Sequence, residues 1–308
     1  MTGNGMSEDH HHHHGSGRVL LWSLVFTTAF AVVELLGGLL ANSLALLSDA
    51  GHMLTDSSAL AIGAIASWLA VRPASARHSF GLQRAEVLGA LINVLFMLGV
   101  VVAVAVAAVQ RLTQPQDVAG MPVIVIAAIG LGVNLTVAWI LIQGEQTLNV
   151  RGALLHVFGD LLGSVAALVA GTVIVLTGWT PIDPILSLFV AILILWSAGR
   201  LLREVLRVLM EGVPRHIDAH EVGDTLARVR GVRAVHDLHI WTLSSSSYAL
   251  AAHVEIDGIA AWERILPALQ ALLRERFGIA HSTLQPETER IRNACDADPT
   301  CGHVGHAR

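Results

Sequence analysis

Six long apolar stretches separated by short connections leave a chain like this one few ways to fold. They run over 19–40, 44–71, 85–110, 121–142, 153–178 and 184–206, each near the roughly 20 residues that a helix needs to cross the hydrocarbon core of a bilayer. Backbone amides and carbonyls find no water there, so such segments must be helical and must pack on one another. The expectation is an all-α six-helix transmembrane bundle over residues 18–210. Composition agrees, since 54% of the 308 residues are hydrophobic and only 14% are charged, against about a quarter charged in ordinary soluble domains. The first apolar run is long enough to span and no small-residue cleavage site follows it, so it reads as a helix rather than a cleaved signal.

The charges that remain are informative by position. All the basic residues are arginine. Arg18, Arg72, Arg77, Arg84, Arg151, Arg200, Arg203 and Arg207 flank the start and the loops after the second, fourth and sixth stretches, whereas the opposite side has little beyond Arg111. The positive-inside rule then puts both termini in the cytoplasm. A net charge of −5 gives no reason to expect a nucleic-acid partner. The two cysteines, Cys295 and Cys301, cannot build a disulfide framework.

Beyond residue 210 arginines and acids return, and the pattern changes to a C-terminal cytosolic α+β domain over 211–287. A helix is expected at 219–228, strands at 232–241 and 248–256 joined by a serine-rich turn at 244–247, an amphipathic helix at 260–277 and a strand at 280–285. The order αββαβ is that of metallochaperone-like domains. About seventy residues make a thin core, so dimerisation or bound metal should add to its stability. Residues 1–17 form a His-rich cytosolic leader with histidines at 10–14, and 288–308 a flexible tail.

The residues that carry chemistry lie inside the second and fifth stretches. His52 and Asp56 stand in ALLSDAGHMLTDSSALA, and His156 and Asp160 in GALLHVFGDLLGSVAAL. Both pairs are His-x-x-x-Asp, and residues four apart share one helix face about 5–6 Å from each other. Two such faces turned together offer two imidazole nitrogens and two carboxylate oxygens, a set that Zn²⁺ accepts at about 2.0–2.2 Å. Neither pair includes a sulfur ligand, which argues against Cu(I). Buried polar residues that merely bond neighbouring helices are the bland alternative. Four ionisable side chains at about 2.5–3.5 kcal/mol each at mid-bilayer make that the weaker reading. Asp49 precedes His52 by one turn and reads as a positioning partner or as a residue near the start of its helix. Glu34 reads as packed in the bundle or near a cation path.

Four stretches, SLALLSDAGHMLTD, RHSFGLQRAEVLGALIN, HVFGDLLGS and AVHDLHIW, closely resemble the cation diffusion facilitator family, especially its zinc-transporting bacterial and animal members. The resemblance runs from about residue 19 to 287. It implies a homodimer in a lipid bilayer, expected to be the bacterial inner membrane, that exchanges cytosolic zinc for protons by alternating access. By motif match His52, Asp56, His156 and Asp160 are the transport site, and histidine rather than aspartate at position 52 favours zinc over cadmium. The same match implies a cytosolic zinc site from His236, His253, His281 and Glu287, with zinc there a regulatory ligand, and turns His239 and Trp241 toward the fold or the partner. The loop after the second stretch departs from the family: Ser75 and Leu82 replace two ligands, only His78 remains, and no site is expected there. Arg84 either pairs with Glu211 or stays a solvated charge. Histidines 10–14 read as a metal-collecting tail, while Cys295 and Cys301, near His303 and His306, are either zinc ligands or part of a disordered end.

Exchange also follows from elementary chemistry. Metal ligands must be deprotonated, so metal and protons compete, and an imidazole with a reference pKa of about 6.5 titrates in the working range. Three rival readings are weaker. A channel needs weak sites that ions leave quickly. A membrane-anchored divalent-metal sensor needs no ionisable pairs in its anchor. An enzyme needs an open coordination position, and four protein ligands leave none.

Overall fold

The computed structural model describes residues 13–143, 148–244 and 247–289; within these, the side chains of 13–24, 148–153, 155 and 156 are not among those described. The leader before residue 13 and the tail with Cys295, Cys301, His303 and His306 therefore lie outside the described residues. The chain divides into two compact units, one of Met1–Ile62 with Ile92–Arg200 and one of Gly63–Leu91 with Leu201–Arg308.

Six helices come first: α1 (His13–Ala41), α2 (Leu44–Ala70), α3 (Ala85–Thr113), α4 (Gly120–Gln143), α5 (Leu148–Thr177) and α6 (Ile182–Leu209). Helices α2 to α6 are long and apolar enough to cross a membrane, and the described side chains of α1, Val25–Ala41, make a shorter apolar segment. Two ends differ from expectation. Helix α1 starts at His13, inside the expected leader, because Gly15 and Gly17 weaken a helix without stopping it as proline would. Helix α5 starts at Leu148, so Arg151 and Gly152 are helical rather than loop.

The helical unit is built inside out relative to a soluble protein. Large apolar side chains such as Phe26, Leu36, Trp139, Phe189 and Trp196 are exposed, while the interior holds small residues, with Ala41, Ala45, Ala127, Ala167 and Ala170 almost fully buried. Lipid is as apolar as leucine, so helices in it associate through close packing of small residues. Helices α4 and α5 show this most clearly: a Cβ on Gly120 would stand 3.0 Å from the Gly171 carbonyl oxygen, and one on Gly171 equally close to the Gly120 oxygen.

One end of this unit is fastened by a polar clasp. Asn42, at φ 54°, ends α1 in the left-handed conformation that asparagine tolerates. Ser43 then caps α2, its hydroxyl accepting from the Leu46 amide at 3.4 Å. Asp183, fully buried at the start of α6, accepts from the Ser43 hydroxyl and from the Leu44 and Ala45 amides at 2.5, 2.7 and 3.2 Å. Its charge thus sits on the positive end of α2. Arg111 donates to the Asn42 carbonyl and side-chain oxygens at 2.5 and 2.7 Å and stands 3.9 Å from Asp183. The lone arginine of that side is consumed within the bundle.

The other unit carries α7 (Ala219–Ala227), β1 (Val232–Ser244), β2 (Ser247–Ile256), α8 (Trp262–Phe277) and β3 (His281–Glu287), with a short 3₁₀ turn before α8. This is the expected αββαβ order. The carboxylate of Asp218 caps α7 by accepting from the His220 amide at 2.8 Å. Gly278, at φ 67°, closes α8 with amide bonds back to its last turn. The central strand β2 pairs antiparallel with β1 and parallel with β3. Leu250, Ala252, Val254 and Ile256 alternate along β2 into a core shared with Val222 and Leu226 of α7 and Ile265, Leu269 and Leu273 of α8. In the same unit Arg84 donates to Glu211 at 2.9 Å, so the pairing alternative holds; both groups are exposed, and such a pair contributes about 0–1 kcal/mol.

Candidate metal centres

Two groups of side chains, one in each unit, have the composition and spacing of a metal site. In the helical unit His52 and Asp56 of α2 meet Asp160 of α5, with one potential ligand atom from each lying within 4.8 Å of the others. His52 Nε2 stands 3.5 Å from Asp56 Oδ2. A tetrahedron with bonds of about 2.1 Å has edges of roughly 3.4 Å, so this pair already stands at ligand spacing. Asp160 is 1% exposed, whereas the other two are partly open. The expected fourth member, His156, lies one turn before Asp160 on α5, and its side chain is outside the described residues. Three expected ligands are therefore brought together by two helices that share no sequence neighbourhood.

In the other unit each strand supplies one ligand. His236 on β1 is directly opposite His253 on β2, and their rings meet edge to face with centroids 5.3 Å apart. Glu287, at the end of β3 and 1% exposed, stands between them: Oε2 is 3.1 Å from His236 Nε2 and Oε1 is 2.8 Å from His253 Nδ1. His281, expected with them, is at the opposite end of β3 beside Phe80. Six residues of extended chain separate it from Glu287 by about 20 Å, so it does not join this group. Counting along a strand cannot wrap it onto one face as a helix does.

One participant is invisible in the sequence. Between His236 and His239 the register slips, so that β1 spends three residues where β2 spends two. Asp237 takes up the extra residue at φ 51°. Such a bulge shifts the alternation by one: Val235 packs on the core before it, Leu238 and Ile240 after it. The Asp237 carboxylate is thereby placed 3.1 Å from His239 Nε2 and 3.7 Å from His253 Nε2. His253 thus has a carboxylate near each ring nitrogen, the arrangement that orients a ligating imidazole. His239, half exposed, faces Asp237 and is not in the metal group.

A bundle of apolar helices with a His/carboxylate group between two of them, followed by a small αββαβ domain with a second such group, defines a membrane protein that handles divalent cations. The family models agree. Residues 20–210 match the cation efflux transmembrane domain, and residues 214–289 match the cytoplasmic domain of cation efflux proteins. Among curated relatives, the cadmium, cobalt and zinc/H(+)-K(+) antiporter of Bacillus velezensis is 41% identical over 92% of this chain and 92% of its own length. The zinc transporter ZitB of Escherichia coli is 39% identical over 91% and 90%. The metal cation efflux system protein CzcD of Cupriavidus metallidurans is 39% identical over 92% and 90%. The chain belongs to the cation efflux, or cation diffusion facilitator, family, whose members are transporters and not enzymes. It is an integral membrane protein for divalent-cation efflux.

Proposed function

We propose that the chain exports zinc from the cytosol in exchange for protons, as a homodimer of the bacterial inner membrane with both termini cytoplasmic. The observation that carries this reading is the meeting of His52, Asp56 and Asp160 between α2 and α5. In this proposal His156 completes the set, ionised carboxylates and neutral imidazoles capture zinc on the cytosolic side, and protons arriving from the other side compete for the same atoms and release it. Names of relatives support both halves: ZitB is a zinc transporter, and the Bacillus protein is described as an antiporter of metal against H(+) and K(+). The matched domain's place in cation efflux proteins and the arginine distribution support the orientation. His236, His253 and Glu287 form, in this reading, a regulatory zinc site on the cytosolic domain.

The test is zinc flux into sealed proteoliposomes. An acid lumen is expected to accelerate zinc entry about tenfold over equal pH, and a proton ionophore to remove the gain, because luminal protons strip the ligands. Flux indifferent to the gradient refutes exchange. The strand cluster also favours a second reading, a membrane-anchored metal sensor. A chain ending before Pro214 separates the two, since a sensor loses its function there while a transporter keeps measurable flux.

A further inference from the structure

The helical unit buries more acid than the His52 group uses. Glu34 of α1 is 0% exposed, and among the described residues no hydrogen-bond donor reaches either of its carboxylate oxygens. Asp49 of α2, 2% exposed, accepts one hydrogen bond, from the Ser164 hydroxyl of α5 at 3.3 Å. Asn134 of α4, 0% exposed, donates to the same Ser164 oxygen at 3.4 Å, and its own side-chain oxygen has no donor among the described residues. Four helices thus converge on one polar chamber.

Two glycines shape that chamber. A Cβ on Gly130 would stand 2.8 Å from Glu34 Oε1, and one on Gly163 would stand 2.1 Å from Asp49 Oδ1. Each carboxylate therefore lies directly against a helix backbone that only glycine leaves bare. Gly130, against Glu34, and Asn134 are one turn apart on α4; Ser164 links the asparagine to Asp49; and the Glu34 and Asp49 carboxyls lie within electrostatic reach of each other and of Asp160. Buried charges are ordinarily paired or hold a metal. Among the described residues no arginine or histidine makes an ion pair with Glu34 or Asp49.

We propose that Glu34, Asp49 and Asn134, ordered by Ser164, form a second cation site that takes a hard ion in an all-oxygen cage, adjoining the His52 group but with ligands of its own. Carboxylate and carboxamide oxygens with neither imidazole nor thiolate suit alkali and alkaline-earth ions, whereas zinc prefers the nitrogen-bearing set nearby. A bound ion would supply the partner that Glu34 lacks among the described residues. This site goes beyond the zinc–proton reading and does not depend on it.

Direct binding tests it without any transport. Full-length protein in detergent is titrated with radioactive rubidium, standing for potassium, and in a parallel arm with radioactive calcium. Saturable binding of one ion per chain in one arm is expected, and the arm identifies the ion class. Glu34→Gln should weaken it about tenfold or more, the scale of losing one ligand or its support. Asn134→Ala should weaken it measurably, and His52→Ala should leave it unchanged. An unchanged helical circular-dichroism spectrum and a single sharp elution peak in detergent show that each variant is folded. Absence of saturable binding in both arms overturns the proposal, as does wild-type binding by folded Glu34→Gln or displacement by one equivalent of zinc. Failed zinc–proton exchange leaves this result standing.

Discussion

The two metal groups employ the same side chains on opposite scaffolds. In the helical unit His52 and Asp56 come from successive turns of α2 and Asp160 from α5, and among the described residues no backbone hydrogen bond ties one helix to the other. In the strand unit His236, His253 and Glu287 come from three strands whose register is fixed by ladder bonds. Packed helices slide and tilt past one another by small shears, and a site divided between them can open and close. Paired strands cannot shift without breaking a row of hydrogen bonds or flipping their side chains to the other face. The first scaffold suits a cargo that must be released, the second a ligand that stays. Coordination chemistry alone would not separate the roles; the mobility of the supports does.

Removing both carboxylates of the helical group tests that division with the largest expected effect. Asp56→Ala with Asp160→Ala should lower zinc flux about a hundredfold or more, to the level of protein-free vesicles, since a dication cannot be desolvated into a site that has lost its anions. Metal bound at the strand group should persist, as read by equilibrium dialysis of the same preparation. Normal flux in this double variant would break the comparison outright.

The reciprocal change is smaller for transport. His236→Ala with His253→Ala leaves only Glu287 of the strand group, and zinc affinity there should fall by more than about a hundredfold, beyond the tenfold to hundredfold scale of a lost outer partner. Flux should stay within about threefold of the parent, because the site that moves is untouched. A collapse of flux equal to that of the carboxylate variant would show that the strand group is part of the path.

How much of this was legible in the sequence follows the same divide. His52 and Asp56 were readable because a helix converts a spacing of four into one face. Asp160 was readable as the end of an identical pattern on α5. The strand domain's element order was readable from alternation and the serine turn, yet its ligand set was not fully so. His281 was grouped by resemblance with His236, His253 and Glu287, and it lies at the opposite end of β3 from Glu287. Asp237 was missed because a bulge needs two strands to exist, and a single strand's pattern holds no trace of its partner. Glu34 and Asp49 were visible as acids in apolar runs, but their common chamber depends on Gly130 and Gly163, which in sequence look like any small residues of a membrane helix. Asp183 was hidden for a similar reason: in the sequence it lies just before the sixth apolar stretch, and only the fold carries it to the amides of α2.

The bulge supplies the smallest and sharpest test. If Asp237 orients His253 through its charge, Asp237→Asn should weaken zinc binding at the strand group about tenfold. Asparagine tolerates the left-handed backbone at φ 51°, so the strand pairing, and with it the positions of His236 and Glu287, should remain. Asp237→Val should weaken binding further, because a β-branched residue is strained in that conformation and the slip in register that aligns Leu238 with the core loses its support. Competition against a zinc-chelating dye measures both. Equal affinity for the parent and the asparagine variant, with a loss only for valine, would assign Asp237 a purely conformational part. The contrast between the scaffolds would then be stronger still, the strand site depending on backbone register alone and the helical site on its carboxylates.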